Sequence, residues 1–329
     1  MTNQTKRAGI VGAGFYVPEK ILTNHDLEKM VETSDEWVRT RTGISERRIA
    51  EKGTGTSDLS AKAAVKAIQQ AGIKPEAIDL IIAATTTGDM PLPSCACLIQ
   101  EKIGAVNAAA FDLGAACAGF VYALVTAEQF IVSGTYKTIL VIGADLISSY
   151  IDWTDRSTCV LFGDGAGAVI LQEAKSGGIL SSVLGSDGRH SELLKICGGG
   201  SKLPATEETV KAKKHYLQMT GAEVFKLAVR GMSDAVIKAL EKAGVDKKEI
   251  ACFIPHQANQ RIIDAVGERL DVPKEKIFVN LQKYGNTSAA SCVIALCEAL
   301  EQGKIKKKDK VVFATFGSGL VWGAVVMEW

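Results

Sequence analysis

AIQQAGIKPEAIDLIIA (67–83) and ALEKAGVDKKEIACFIP (239–255) share one plan: a helix end, an Ala-Gly stop, a short polar turn, an isoleucine and a buried strand. They stand 172 positions apart, 67 against 239. Two further pairs follow in the same order. FGDGAGAVI (162–170) and FGSGLVWGAVV (316–326) are each a Phe-Gly-x-Gly turn feeding a terminal strand. Gly134, ending the helix after Cys117, matches Gly303, ending the helix TSAASCVIALCEALEQ, at a spacing of 169. Chance would account for any one match; three in order at nearly constant spacing predict a duplicated unit. Strand-like runs at LIIAATTT (80–87), TILVIGAD (138–145), AGAVILQ (166–172), CFIPH (252–256) and KVVFATFG (310–317) alternate with helical stretches, the pattern of an α/β protein with buried sheets. The expected halves are residues 1–174 and 175–329, packed about a pseudo-dyad. At the spacing of 169, Cys117 falls on Asn286, so the two are expected to oppose each other at the N-termini of two central helices.

A chain of 329 residues can bury a site completely. Its formal net charge of +1 gives no global field for nucleic acid or an anionic membrane. No apolar run approaches the roughly 18 residues of a spanning helix. The N-terminal MTNQTKRAGIVGAGFYVPEK lacks an apolar core followed by a small-residue cleavage site. The eight cysteines mostly sit in apolar runs and are read as reduced thiols of a cytoplasmic protein. None has C-x-x-C spacing or a nearby His pair, so no metal site is expected. GIVGAGFYV (9–17) lacks the third glycine of a dinucleotide fingerprint and is read as a glycine-rich first strand.

Cys117 stands at a strand-to-helix corner, after AAAFDL and inside GAACAGF, where small neighbours leave room beside the sulfur. From Ala118 to Val132 the helical wheel is apolar on nearly every side, which predicts a helix buried all round, stopped by Ser133-Gly134. A thiol at that helix's positive end is expected to favour the thiolate. Of four histidines, His25, His190 and His215 lie in polar, solvated surroundings, whereas His256 ends the apolar strand CFIPH, where α/β sheets deliver residues to a crevice. Asn286, between YG and TSAAS, suits an N-cap, which leaves it free to serve a site as well. A thiolate, a neutral imidazole and an amide together suit thioester chemistry: the sulfur accepts an acyl group, and the two N–H donors hold an enolate oxygen. A papain-type hydrolase uses the same residue types but lacks this repeat, and a binding module has no need of an activated thiol.

TSDEWVRTRTGISERR (33–48), AACAGF (115–120), WTDRSTCVLFGDGAGA (153–168), PHQANQRI (255–262) and YGNTSAA (284–290) closely resemble the β-ketoacyl-[acyl-carrier-protein] synthase III family, over essentially the whole chain. The resemblance implies a five-layered, thiolase-like αβαβα fold of two duplicated pseudo-symmetric halves, a homodimer, and a ping-pong reaction without cofactor. Cys117 would take an acyl group, most simply acetyl, from acyl-CoA. His256 and Asn286 would hold the enolate left when malonyl-ACP loses CO2, and the product would be 3-oxoacyl-ACP, initiating type II fatty acid synthesis. By matching position, backbone N–H of Cys117 and Ser318 would form the oxyanion hole. Thr33, Trp37, Arg41 and Arg156 would bind CoA, with the adenine between Trp37 and Arg156. Gln257, Ala258, Asn259, Gln260, Arg261 and Lys226 would meet the acyl carrier protein, whereas KIKKKDK (304–310) reads as a solvated turn. Leu92 and Phe162 would border the primer pocket.

Two departures stand out. Ser318 replaces a glycine usual in the family, and in a left-handed conformation it would cost about 1–2 kcal/mol. Leu92, where some relatives carry a bulky Phe that closes the partner's pocket, implies room for longer or branched primers.

Overall fold

The computed structural model describes residues 6–329, so the first five residues, part of both the leader reading and the N-terminal half, lie outside it. The first sheet contains β1 (Ala8–Tyr16), β2 (Leu80–Ala84), β3 (Ala109–Leu113), β4 (Ile139–Leu146) and β5 (Asp164–Glu173). The second contains β6 (Gly178–Ser186), β7 (Ile250–Pro255), β8 (Lys310–Gly317) and β9 (Val321–Glu328). The order β1-β5-β4-β2-β3 in the first is matched by β6-β9-β8-β7 in the second. Each half runs antiparallel, antiparallel, then parallel across corresponding pairs. The counterpart of β3 shrinks to a parallel bridge between Phe253 and Ile277.

The helices complete the layers. α1 (Thr56–Ala71) and α2 (Cys95–Ile103) cover one outer face; α3 (Gly119–Val132) and α6 (Ser291–Glu301) lie between the sheets; α4 (Gly221–Ala243) and α5 (Gln260–Leu270) cover the other. This is the expected five-layered, thiolase-like α/β fold. With helices on both faces, β4 is buried at every position, which is why it reads as one apolar run without alternation. β1 is the glycine-rich first strand read from the sequence, and its glycines serve packing: a Cβ on Gly12 would stand 2.4 Å from the Ala67 carbonyl oxygen of α1.

The duplication extends to the caps. α1 ends on Gly72 (φ 65°, ψ 30°) and α4 on Gly244 (φ 64°, ψ 30°), 172 positions apart as the first sequence match requires. One correction follows for the centre. The 3-10 turns Ala116–Ala118 and Ser288–Ala290, and the helix starts Gly119 and Ser291, also correspond at 172. The spacing of 169 holds only at the helix ends, because α6 has 11 residues and α3 has 14. Cys117 therefore corresponds to Ala289, and Ala116 to Ser288; Asn286 lies three residues before the position equivalent to the cysteine. Both Ala116 (φ 44°) and Ser288 (φ 50°) adopt the left-handed backbone.

Candidate active site

Cys117 sits in the turn between β3 and α3, where the Gly317 backbone comes so close that a Cβ there would lie 2.8 Å from the Cys117 nitrogen. His256 follows β7 and is buried, its own N–H donating to Ala314 O at 2.7 Å. Asn286 is held between the halves: its N–H donates to Leu161 O at 2.8 Å, and Gly163 N–H donates to its carbonyl at 3.1 Å. All three line one cavity of about 850 Å³. Exposed Arg41, Arg156, Lys226 and Arg261, with Trp37, mark its mouth; apolar Ile196, Leu217, Met219, Val224 and Met232 line the passage inward.

Hydrogen bonds fix which atoms face that space. The Asn286 side-chain oxygen accepts from Ser288 N–H at 2.9 Å, so the amide caps the turn as an N-cap would and turns its NH2 away from that bond. Ser291 Oγ accepts from Gln257 N–H at 3.3 Å and stands 2.7 Å from His256 Nδ1. With the Ser291 hydroxyl donating to Nδ1, the imidazole hydrogen sits on Nε2. Burial drives the His256 pKa down to about 4, so this ring is neutral near pH 7. Two uncharged N–H donors are thus available to an oxygen that becomes negative.

A consequence for stability follows. Between pH 6.5 and about 4 the unfolded chain protonates this histidine while the folded chain refuses the proton. Stability contributed by the neutral ring is complete above pH 6.5 and falls as pH drops through that window, by at most about 1.4 kcal/mol per unit. Denaturant unfolding at pH 7 and pH 5 is expected to show a shallower acid loss in His256→Gln than in the natural chain; equal slopes would contradict the buried neutral ring.

The sulfur differs from its sequence reading. Cys117 lines the cavity half-buried, and burial pushes its thiol up to about 12; the Ser288 hydroxyl pulls it down, and the Asp145 carboxylate adds to the rise. With burial the largest influence, the resting group is held toward the thiol rather than the thiolate expected from the dipole. The helix dipole remains as local support once charge develops.

Of the other predicted positions, Ser318 lines the cavity with an ordinary negative φ, so the left-handed penalty does not arise; its hydroxyl donates to Leu194 O. Trp37, Arg41 and Arg156 converge, but Arg156 lies 4.8 Å from the Trp37 ring centre and donates to Glu32 O at 2.7 Å. A base stacked between them needs roughly two ring thicknesses, so Arg156 must swing outward to admit it. Thr33 is not among the lining residues, and its hydroxyl is buried without a partner among the described residues.

Gln257 cannot dock a partner. It is 1% exposed, donates to Pro255 O and Phe278 O, and accepts from Asn280 N–H. Gln260 bonds Asp264, Asn259 caps α5 and donates to Arg41 O, and Ala258 lines the cavity, which leaves Arg261 and Lys226 as the exposed cations. Phe162 lines the cavity; Leu92, 84% exposed, stands outside its own chain's cavity. Of 304–310, Lys304 and 306–308 are exposed, Ile305 is buried, Asp309 is half-buried, and half-buried Lys310 already opens β8. His215, read as solvated, is half-buried against Tyr216, and its Nδ1 has no partner. Sequence reasoning missed Ser288 and Ser291 as functional residues: each looked like one more small residue at a helix start. Among the described residues, no group of three or more His, Cys, Asp or Glu could hold a metal, and no helix is long and apolar enough to cross a membrane.

Two duplicated halves clasping a pair of central helices, with a cysteine at the head of the first, are the plan of thiolase-like, acyl-transferring condensing enzymes. Models of 3-oxoacyl-[acyl-carrier-protein] synthase III match residues 111–188, and of its C-terminal region residues 240–329. The chain is 53% identical over 323 residues to β-ketoacyl-[acyl-carrier-protein] synthase III of Caldanaerobacter subterraneus, covering 98% of each. The crystal structure of 3-oxoacyl-[acyl-carrier-protein] synthase III from Aquifex aeolicus matches with TM-score 0.91 and 49% identity, over 98% of this chain and 100% of that one. The corresponding Pseudomonas aeruginosa structure gives TM-score 0.91 at 40% identity, over 98% of each chain. The chain belongs to the 3-oxoacyl-[acyl-carrier-protein] synthase III family of fatty acid biosynthesis.

Proposed function

We propose that this chain joins an acyl group from acyl-CoA, acetyl-CoA foremost, to malonyl-ACP by a ping-pong reaction through acyl-Cys117. The observation that carries the reading is the meeting of Cys117, His256 and Asn286 on one largely apolar cavity whose mouth is cationic. In the first half-reaction the Cys117 sulfur attacks the thioester carbonyl, its S–C bond forms, the C–S bond to CoA breaks, and the thiol proton leaves on CoA. Backbone N–H of Cys117 and Ser318 receive the transient oxyanion. In the second, the malonyl thioester loses CO2, and its carbonyl oxygen, now an enolate, accepts from His256 Nε2–H and the Asn286 amide. The enolate carbon bonds to the acyl carbon, the C–S bond to Cys117 breaks, the expelled sulfur takes a proton from water to restore the thiol, and 3-oxoacyl-ACP leaves.

CoA would lie along Trp37, Arg41 and Arg156, and the acidic carrier protein would approach Arg261 and Lys226. Reduced cysteines, all eight of them free, suit a cytoplasmic enzyme. A homodimer is favoured by β3, an edge strand with Phe111 and Leu113 half-exposed, beside Val106 at 73% and Leu92 at 84% exposure. Such an apolar open edge invites pairing by another copy.

Native mass spectrometry after mixing with acetyl-, isobutyryl- and hexanoyl-CoA tests the reading in one experiment. The expected result is a doubled subunit mass carrying stable acyl adducts on Cys117, all three primers being accepted because Leu92 leaves the pocket roomier than Phe would. Strict acetyl uptake would retire the broader primer range, a single-subunit mass the dimer, and no adduct the acyl-enzyme itself.

A further inference from the structure

Ser288 occupies a costly position. Among the described residues it is one of five non-glycine residues with positive φ, at 50°, and non-glycine residues held there commonly serve a site. Its N–H is fastened to the Asn286 side-chain oxygen at 2.9 Å, and the next N–H, of Ala289, meets the Asp145 carboxylate at 3.4 Å. The turn is also pressed against β4, where a Cβ on Gly143 would fall 2.3 Å from the Ala289 carbonyl oxygen. Held in this way, the Ser288 side chain reaches the other half and brings its Oγ to 3.2 Å from Cys117 Sγ, its one side-chain hydrogen-bond partner among the described residues. The corresponding residue of the other half, Ala116, has the same backbone and no hydroxyl. The asymmetry between halves is thus an O–H aimed at the sulfur.

We propose that Ser288 is a catalytic residue whose hydroxyl donates to the Cys117 sulfur whenever that sulfur carries negative charge. A thiolate has no proton to give, so the bond then runs from serine to sulfur, and charge-assisted bonds of this kind are the stronger ones. Charge develops twice: when the sulfur attacks the thioester and when the condensation expels it. Ser288 keeps its proton in both, and no bond other than the hydrogen bond changes. The need is local. Asp145, reaching the adjacent turn from β4, disfavours the anion; His256, from β7, is neutral; Cys292, on α6, is a buried thiol pushed up to about 12 by its own burial. None of these supplies a positive charge.

The inference rests on the reading of Cys117 as nucleophile, yet it is tested without any acyl donor. Alkylation of Cys117 by iodoacetamide and by the bulkier N-ethylmaleimide is followed by peptide mass spectrometry from pH 6 to 11 in the natural chain, Ser288→Ala and Ser288→Gly. Loss of the donor is expected to displace both rate–pH curves upward by about one unit, an approximately tenfold slowing on the rising limb, equal for the two reagents. Wild-type rates in variants of wild-type melting temperature overturn the proposal; so does a slowing that differs between the reagents, which reports access to the cavity. Glycine suits the left-handed backbone, so Ser288→Gly decides the matter if the alanine variant does not fold. Failure of acyl-CoA to label the natural chain would remove the acyl-enzyme reading while leaving this alkylation result standing.

Discussion

Cys117→Ala is expected to take up no acyl group from any acyl-CoA and to lose condensation by at least ~10⁴-fold, as enzymes do when their nucleophile is removed. The fold gives no reason for a stability loss of similar weight. The side chain is small, its neighbours Ala115, Ala116 and Ala118 are smaller or equal, and its sulfur makes a single side-chain bond, to Ser288. The variant keeps His256 held by Ser291 and Asn286 held by Ser288. It should therefore still decarboxylate malonyl-ACP, with the enolate taking a proton from water to give acetyl-ACP. Two assays separate the outcomes: mass spectrometry of the protein for the acyl adduct, and release of labelled CO2 for decarboxylation. Condensation at the natural rate would place the nucleophile elsewhere, and loss of CO2 release along with the adduct would mean that the sulfur also helps to hold the enolate.

The fold was largely legible because a duplicated unit repeats its punctuation. Gly72 and Gly244 stop matching helices with the same left-handed cap, and the strands that follow both read as apolar runs because helices cover them on two sides. Register within the site was less legible. Aligning from helix ends placed Cys117 opposite Asn286, an error of three residues, because α6 is shorter than α3 and only the helix starts keep the spacing.

Chemistry was legible where a residue type is rare in its surroundings: a thiol among alanines, one histidine after an apolar strand. Groups that act by long-range contact left no pattern. Ser288 lies 171 positions from the sulfur it touches, and Ser291 lies 35 positions from its imidazole. Gln257 read as a docking residue only by its place in the family segment 257–261, yet three backbone groups of the chain need its amide in the interior. The sulfur's ionisation was misjudged for a related reason: a helix end is visible in sequence, whereas the depth of burial that opposes it is a property of the assembled halves.

The two half-reactions come apart most clearly at Asn286. In the proposed mechanism the acyl transfer onto Cys117 draws its oxyanion donors from backbone N–H groups, so Asn286→Ala should still acquire the acyl adduct. The same proposal makes decarboxylation depend on the side-chain amide, and losing one preorganised donor to a developing oxyanion commonly costs about 10²–10³-fold. Alanine, however, also frees the Ser288 N–H that the amide oxygen holds, and could loosen the turn beside the sulfur. Asn286→Asp removes that ambiguity. Its carboxylate still accepts from Ser288 N–H, so the turn and the thiol donor stay in place, but it replaces an N–H donor by negative charge facing the enolate. Condensation should therefore fall further in Asn286→Asp than in Asn286→Ala, while single-turnover acylation of Cys117 falls by less than condensation in each, the new carboxylate opposing charge on the sulfur as Asp145 does. If both variants lost acylation and condensation in equal measure, the amide would be a support for the turn alone, and the enolate would rest on His256, whose Nε2–H is then the one remaining side-chain donor.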